Sequence, residues 1–160
     1  MIKQDLVMLL KQYKENKARL RIKLKELNLK RIRLKALENI DTSLSSAKYE
    51  LNSDIHSKNQ ISDSVGNRVA KNEDEKLKIQ QEITDLEKEV QALREKVEAV
   101  EDRLEALSYK EREILVAYYI ENCDYEDIGN RVYYNIYKET RSVDTIKRIV
   151  EKATRKMIKI

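Results

Sequence analysis

The last eighteen residues of the chain carry two stripes of side chains at helical spacing. One stripe is cationic and consists of Arg148, Lys152, Arg155 and Lys159. The other is apolar and consists of Ile146, Val150, Ala153 and Met157. With about 3.6 residues per helical turn, intervals of three and four residues place each stripe on its own face. Such a helix can pack inward through its apolar face while its cations neutralise phosphates, so the pattern predicts contact with a nucleic acid backbone.

Residues that perform catalysis or hold metals are scarce. His56 is the only histidine and Cys123 the only cysteine, which is too few for a disulfide within the chain or for a zinc site with the usual Cys and His ligands. Two glycines cannot supply a glycine-rich phosphate loop. The carboxylates between Asp85 and Glu105 recur at coiled-coil spacing, which favours helix pairing over acid–base chemistry. We therefore expect no enzyme activity, no metal and no cofactor.

The composition favours long helices. The 160 residues include no proline and two glycines, with 41% hydrophobic and 39% charged side chains. Proline breaks helices and glycine supplies most backbone conformations with positive φ, so little material remains for hairpins and sheets. No apolar run approaches the roughly 20 residues that cross a bilayer, and Leu6–Leu10 is too short for a secretory signal. We expect an all-α protein that is soluble and cytoplasmic, with no membrane partner.

Heptad repeats predict that the first two thirds of the chain form a helical hairpin. Between residues 79 and 107, nine apolar residues follow a regular 4-3 spacing: Ile79, Ile83, Leu86, Val90, Leu93, Val97, Val100, Leu104 and Leu107. An earlier seam with a spacing of seven consists of Leu6, Tyr13, Leu20, Leu27 and Leu34. The segment of about residues 52–68 is rich in Ser, Asn and Asp, which favour loops. Residues 1–50 carry 13 basic and 6 acidic side chains and residues 51–107 carry 9 and 14, so the charges favour antiparallel pairing.

The first predicted helix has more apolar surface than one partner helix can cover. The additional apolar residues are Met8, Leu10, Ile22, Leu24, Leu29, Ile32, Ala36 and Ile40. One explanation is that this helix also packs on the C-terminal domain. The explanation that we favour is self-association, with a dimer as the favoured state, because an extended apolar helix surface is seldom left in contact with water.

Helix-capping signals divide the residues after Leu107 into three short helices. Ser108 and Glu111 have the spacing of a capping box, and Asp124 can cap a second helix. Ser142 is a candidate cap for the last helix, which carries the cationic stripe. Six of the nine tyrosines fall between Tyr118 and Tyr137, where we expect them to form an aromatic core rather than a platform for stacking bases.

This region resembles region 4 of sigma-70-type factors, which reads the −35 promoter element through a helix-turn-helix. The resemblance rests on four stretches in the same order as in the family: Leu107-Ser-Tyr-Lys-Glu-Arg-Glu-Ile-Leu115 with Tyr119, Tyr125-Glu-Asp-Ile-Gly129, Ser142-Val-Asp-Thr-Ile-Lys-Arg148, and Ala153. The resemblance implies that the small residue Gly129 lets two helices approach closely. It also implies that the recognition helix starts at Ser142 and presents four side chains to DNA: Asp144, Thr145, Lys147 and Arg148.

A likeness that covers more of the chain is to small phage and prophage regulators of the ArpU and RinA type, in which a segment similar to Ser62-Asp-Ser-Val-Gly66 with Val69-Ala70 often precedes the motif. These proteins have a helical N-terminal part followed by a sigma-like motif. The likeness implies a bacterial host cell, a phage or prophage promoter as target, and RNA polymerase as a second partner. One feature departs from the family: thirteen positions separate Gly129 from Ser142, where about six are usual. The surplus, around residues 133–140, either lengthens the second helix or forms a longer turn.

We therefore predict an antiparallel coiled-coil hairpin in residues 1–107 and a three-helix domain that binds double-stranded DNA in residues 108–160. Besides the four side chains that the resemblance implies, the candidate DNA contacts are Ser142, Lys152, Arg155, Arg141, Lys138 and Arg131. Two alternatives stay open. A small terminase subunit for DNA packaging also combines a helix-turn-helix with a coiled coil, although usually in the reverse order. A coiled-coil adaptor would bind protein alone.

Overall fold

In the computed structural model, the backbone is described for residues 3–46 and 64–160, and the side chains for residues 3–39 and 70–160. Every regular element in these residues is helical, which confirms the predicted all-α class. The α-helices are α1 (Lys3–Ser46), α2 (Ser64–Glu105), α3 (Tyr109–Leu115), α4 (Tyr125–Asp127), α5 (Tyr133–Tyr137) and α6 (Val143–Lys159). A π-helical turn, Val116–Ile120, continues α3, and a second one, Ile128–Val132, joins α4 to α5. The resulting continuous helices are called helix 109–120 and helix 125–137.

The predicted loop of residues 52–68 is partly corrected by the structure. Residues 52–63, including His56, lie outside the described residues, while residues 64–68 are already helical because α2 begins at Ser64. Serine is a favoured residue type at helix starts, so the helix begins before the polar composition ends. Within the described ranges, none of the helices combines the length and the apolar character needed to cross a membrane.

The structure divides into two compact units, and the first is Met1–Arg21 together with Gln91–Ile160. Its core joins the beginning of α1 and the end of α2 to the C-terminal helices. Its fifteen buried members are Leu6, Leu10, Val100, Leu104, Leu107, Ile114, Leu115, Ala117, Tyr119, Ile128, Tyr133, Ile146, Val150, Ala153 and Met157. The predicted boundary after residue 107 falls inside this unit, and as a statement about independently folding domains it stays a prediction.

The second unit, Ile22–Val90, consists of parts of α1 and α2 that run antiparallel. Leu27 of α1 and Ile79, Leu86 and Val90 of α2 are buried between the two helices. Ion pairs join α1 to α2, as the opposite net charges of the two segments predict: Lys23 to Glu89, Lys30 to Glu82, Arg31 to Glu87 and Arg33 to Glu75. These pairs are only partly shielded from solvent, so we attribute the stability of this unit to the apolar seam and its register to the charges.

The predicted seam of α2 faces inward in both units. Seven of its nine apolar residues are buried, and only Ile83 and Leu93 are half-buried. Within the first unit, Tyr13 of α1 donates a hydrogen bond of 2.6 Å to Glu101 of α2, and Lys17 pairs with the same carboxylate at 2.7 Å. The hydrogen bonds from Lys17 and Tyr13 hold the pKa of Glu101 below its ordinary value. The polar contacts of Tyr13, Lys17 and Glu101 therefore lie beside the apolar seam that the heptad spacing predicts.

The apolar residues of α1 that lie outside its heptad seam are buried in one case and exposed in others. Leu10 is fully buried in the core of the first unit, which fits packing on the C-terminal helices. In contrast, Met8, Ile22, Leu24, Leu29 and Ile32 are exposed, and so is Ala36. The side chain of Ile40 lies outside the described residues. Several apolar side chains of α1 therefore remain exposed among cations such as Lys25 and Arg33 in the part of the chain that the structure describes.

The predicted caps are found at the predicted residues, but one works differently. Ser108 and Glu111 form the capping box, and the Asp124 carboxylate accepts a 2.7 Å hydrogen bond from the Asp127 amide. Ser142 precedes α6 with extended backbone, yet its hydroxyl pairs with the Thr145 hydroxyl at 3.0 Å. The Thr145 amide is already bonded to the Ser142 carbonyl oxygen at 3.0 Å, so the expected side-chain cap is absent there.

The surplus residues lengthen the second helix. Helix 125–137 continues through the surplus to Tyr137 and ends at Lys138, whose backbone is left-handed with φ 59°. Tyr133 is buried and anchors this extension to the core. Residues 138–142 then form the turn that leads into α6. Of the two predicted conformations, the longer helix is the one observed, followed by a short turn.

Candidate nucleic-acid interface

The basic stripe of α6 lies opposite the buried face of the helix. Ile146, Val150, Ala153, Thr154 and Met157 are buried on one side of α6. At about 100° per residue, the stripe of Arg148, Lys152, Arg155 and Lys159 is centred on the side that faces away from them. All four cations are exposed. The predicted separation of the two stripes is therefore present in the structure.

Most of the charge on this stripe is not neutralised. No described side chain forms a hydrogen bond or an ion pair with Arg148, Lys152 or Lys159. Arg155 has one contact, to Glu151 at 3.6 Å on the same helix, and both side chains are more than half exposed. A pair this open to solvent attracts weakly, so Arg155 can exchange Glu151 for another anion. The stripe is available as a row of cations about one helical turn apart.

The N-terminal half of α6 is electrically mixed. Asp144 and Glu151 lie on one flank of the stripe and are exposed. Lys147 is exposed next to that flank, with its ammonium 5.6 Å from the centre of the Tyr125 ring. Thr145 is half-buried and lies on the opposite flank, toward Lys156. Of the residues that the resemblance implies, Arg148 therefore belongs to the stripe, while Asp144, Thr145 and Lys147 lie beside it at the beginning of α6.

The three cations predicted outside α6 do not form one group. Arg141 lies in the turn before α6 and pairs with Glu139 at 2.8 Å. Lys138 ends helix 125–137, with its ammonium 5.9 Å from the Tyr134 ring centre. Arg131 instead donates a hydrogen bond to the Cys123 sulfur at 3.3 Å and forms no hydrogen bond or ion pair with an α6 residue. The structure thus brings Arg141 to the start of α6 and leaves Arg131 apart from it.

A carboxylate within the core holds α6 against the start of α3. Glu111 is only 8% exposed, and Lys156 donates to its two oxygens at 2.6 and 2.8 Å. Burial opposes ionisation of this carboxyl, but the Lys156 ammonium and the hydrogen bonds from Ser108 outweigh it, so its pKa lies below the ordinary value of 4.5. The folded chain therefore releases this proton more readily than the unfolded chain. The stabilisation is complete above the ordinary pKa and is lost as pH falls through the folded pKa.

Gly129 sits where the turn before α6 touches helix 125–137. A Cβ atom on Gly129 would lie well inside van der Waals distance of the Arg141 carbonyl oxygen. The Arg141 amide also donates a 3.3 Å hydrogen bond to the Gly129 carbonyl oxygen. The resemblance implies a close approach of two helices at this position. The tightest approach is instead between helix 125–137 and the turn that leads into α6.

The tyrosines divide between the core and the surface. Tyr119 and Tyr133 are buried, as an aromatic core predicts. Tyr118 and Tyr125 are half-buried and stack with ring centres 4.6 Å apart. Tyr134 and Tyr137 are exposed. The prediction of an aromatic core is thus met by the first two groups, while the surplus also places two rings in solvent.

One cation near α6 was missed by the sequence analysis. Lys110 in the first turn of α3 donates a hydrogen bond of 3.0 Å to the Tyr133 hydroxyl, and Arg141 donates to the same oxygen at 3.4 Å. These bonds span 23 and 8 positions of the chain. No spacing rule connects residues of different helices over such distances, so only the packed structure brings them together.

Neither a metal site nor a comparison with known proteins gives a further indication of function. Among the described side chains, no group of three or more His, Cys, Asp or Glu residues is arranged to hold a metal ion. Comparison with protein-family models, with curated proteins and with solved structures finds no match to this chain.

Proposed function

We propose that this chain is a sequence-specific regulator of transcription that binds double-stranded DNA through α6. The observation that carries the proposal is the row of exposed, largely unpaired cations opposite the buried face of α6. If these cations were paired with buried carboxylates, they would have a role in holding the fold together. Among the described residues, Lys156 is the one cation of α6 that has a buried partner. Cations left in water at helical spacing match the phosphates that line the major groove.

The proposed mechanism follows from the order of the helices. Helix 125–137, the turn of residues 138–142 and α6 have the sequence of elements of a helix-turn-helix, in which the second helix enters the major groove. Arg148, Lys152, Arg155 and Lys159 would contact phosphates. Thr145 and Lys147, near the start of α6, would reach base edges, which carry the sequence information. By the resemblance, the target is a phage or prophage promoter in the cytoplasm of a bacterial host cell, with RNA polymerase as a second partner.

Selection of bound sites from a random duplex library tests this proposal. We expect an enriched site, and binding that weakens steeply with salt. Four phosphate contacts per protomer predict a slope of roughly −3.6 in log affinity against log salt, or about a 100-fold loss between 50 and 200 mM. Enrichment of no sequence would favour the packaging role of a small terminase subunit. Absence of duplex binding at low salt would leave the protein-binding adaptor and would end the proposal.

We also propose that the outward face of α1 joins two copies of the chain. Ile22, Leu29 and Ile32 are 63%, 67% and 56% exposed and share one face of α1 with Ala36. Arg21, Lys25 and Lys35 surround these residues, and no described side chain forms an ion pair with them. Pairing two such faces would bury apolar surface and bring like charges together. A dimer would also double the number of DNA contacts, which raises the apparent affinity without any new surface.

Salt should therefore strengthen self-association while it weakens DNA binding. Screening reduces the repulsion between the cations of the two α1 helices, and the apolar contact does not depend on it. In sedimentation velocity we expect a dimer whose dissociation constant falls as salt rises. Substituting both Leu29→Gln and Ile32→Gln should give a monomer.

The matched control for this pair is Leu77→Gln, because Leu77 is 64% exposed on α2 outside the α1 face. It should leave the dimer intact. A dimer that survives both α1 substitutions would show that another surface holds it, and a ring of many copies would support a terminase subunit.

A further inference from the structure

Two cations meet at a single oxygen beside the beginning of α6. The Tyr133 hydroxyl accepts hydrogen bonds from Lys110 at 3.0 Å and from Arg141 at 3.4 Å. The Lys110 ammonium also lies 4.6 Å from the Tyr133 ring centre and 5.0 Å from that of Tyr137. The Arg141 guanidinium lies 5.5 Å from the Tyr133 ring centre. Lys110 thus lies against two aromatic rings, and Arg141 lies against one of them.

The charge of this cluster is only partly balanced. Arg141 pairs with Glu139, while no described carboxylate pairs with Lys110. The two cations, Lys110 first, lower the pKa of the Tyr133 hydroxyl, which reports the positive potential at that oxygen. Lys110 has three N–H donors and Arg141 has five, and a phenol oxygen can accept few of them. The remaining donors need acceptors from outside the described chain.

The cluster borders the basic stripe of α6. Arg141 is the residue before Ser142, which directly precedes α6. Near the C-terminal end of α6, Lys156 forms an ion pair with Glu111, which is the residue after Lys110. Lys156 lies about 40° around the helix axis from Lys152. The first turn of α3 therefore lies along the flank of α6 next to Lys152. Lys110 is half-buried and Arg141 is exposed, so both remain open to a ligand.

We propose that Lys110 and Arg141, oriented by Tyr133, clamp one phosphate group of the DNA backbone beside α6. A phosphodiester supplies two anionic oxygens, which can accept from the ammonium and the guanidinium at the same time. Such a contact carries no sequence information, but it fixes the depth and the register of α6 on the duplex. This inference rests on the proposed DNA binding, and it adds a contact from α3 that the α6 stripe does not contain.

Salt-dependent affinity for one duplex that carries the selected site tests the clamp. Lys110→Gln should weaken binding about eightfold at 100 mM salt and should flatten the slope of log affinity against log salt by about 0.9, as loss of one phosphate contact predicts. The loss should be the same on the selected site and on an unrelated duplex. Tyr133→Phe keeps the buried ring and removes the oxygen. It should weaken binding with no change of slope, and its effect should be smaller in a chain that already carries Lys110→Gln, because only Arg141 is then left for the hydroxyl to orient.

The control is Lys96→Gln, which removes one exposed cation of α2 that has no described partner. It should leave affinity and slope unchanged, and circular dichroism should show that all variants are folded. A Lys110→Gln chain with the wild-type slope would overturn the clamp while the proposed DNA binding stands. A wild-type chain without salt-dependent duplex binding would overturn both.

Discussion

Reversing two charges on α6, with Lys152→Glu and Arg155→Glu, is expected to weaken duplex binding by about 10²–10³-fold at 100 mM salt. Each lost phosphate contact accounts for about eightfold at this salt, and each new carboxylate repels the backbone in addition. Both side chains are exposed, so the fold should tolerate the change. Fluorescence anisotropy of a labelled duplex over a series of salt concentrations would measure both the affinity and the slope.

The matched control is Lys14→Glu with Lys96→Glu, which changes the net charge by the same amount on α1 and α2. Both lysines are exposed and have no described partner. Long-range attraction to DNA depends on the total charge, which is the same in the two double variants. The difference in affinity between them therefore reports the local contacts of α6. If both double variants bind equally, α6 is not the contact surface. If both bind as the wild type does, duplex binding by this stripe is excluded.

Replacing Gly129 by alanine should lower the free energy of unfolding by between about 1 and 3 kcal/mol. The new Cβ would overlap the Arg141 carbonyl oxygen, and relief requires the turn of residues 138–142 to shift. Alanine favours a helix over glycine by up to ~1 kcal/mol, which offsets part of this loss. Thermal and denaturant unfolding followed by circular dichroism would measure the change. Duplex affinity should also fall, because this turn sets where α6 begins.

Asn130→Ala is the control for helix propensity, since Asn130 is the next residue on the same helix and is exposed. It should be neutral or slightly stabilising. A Gly129→Ala chain that is as stable as the Asn130→Ala chain would show that the turn moves without loss, which would contradict the steric argument.

Local regularity explains how much of the fold could be predicted. The seam of α2 repeats over about four heptads, so periodicity alone identifies its inward face. The capping box at Ser108 is a local signal too, because its two residues are three positions apart. Ser142 shows the limit of such rules. It marks the start of α6, but the Thr145 amide bonds to the Ser142 carbonyl oxygen, which leaves the hydroxyl free for the Thr145 side chain.

The parts of the candidate site that could not be predicted depend on packing between helices. The surplus residues fit a longer helix or a longer turn equally well, and burial of Tyr133 against the core decides for the helix. The same burial carries the Tyr133 hydroxyl to Lys110 and Arg141. The basic stripe of α6, in contrast, was predictable because its spacing and its separation from the apolar stripe are properties of one helix.

The core that supports α6 draws on both ends of the chain. Five of its fifteen buried members, Leu6, Leu10, Val100, Leu104 and Leu107, precede Ser108. A fragment that starts at Ser108 would leave the apolar surfaces that they cover in contact with water. The C-terminal helices that we propose to bind DNA therefore depend on the first turns of α1 for part of their core. If α6 binds DNA as proposed, a protease that removes those turns should weaken duplex binding, although it cleaves none of the residues proposed to contact DNA.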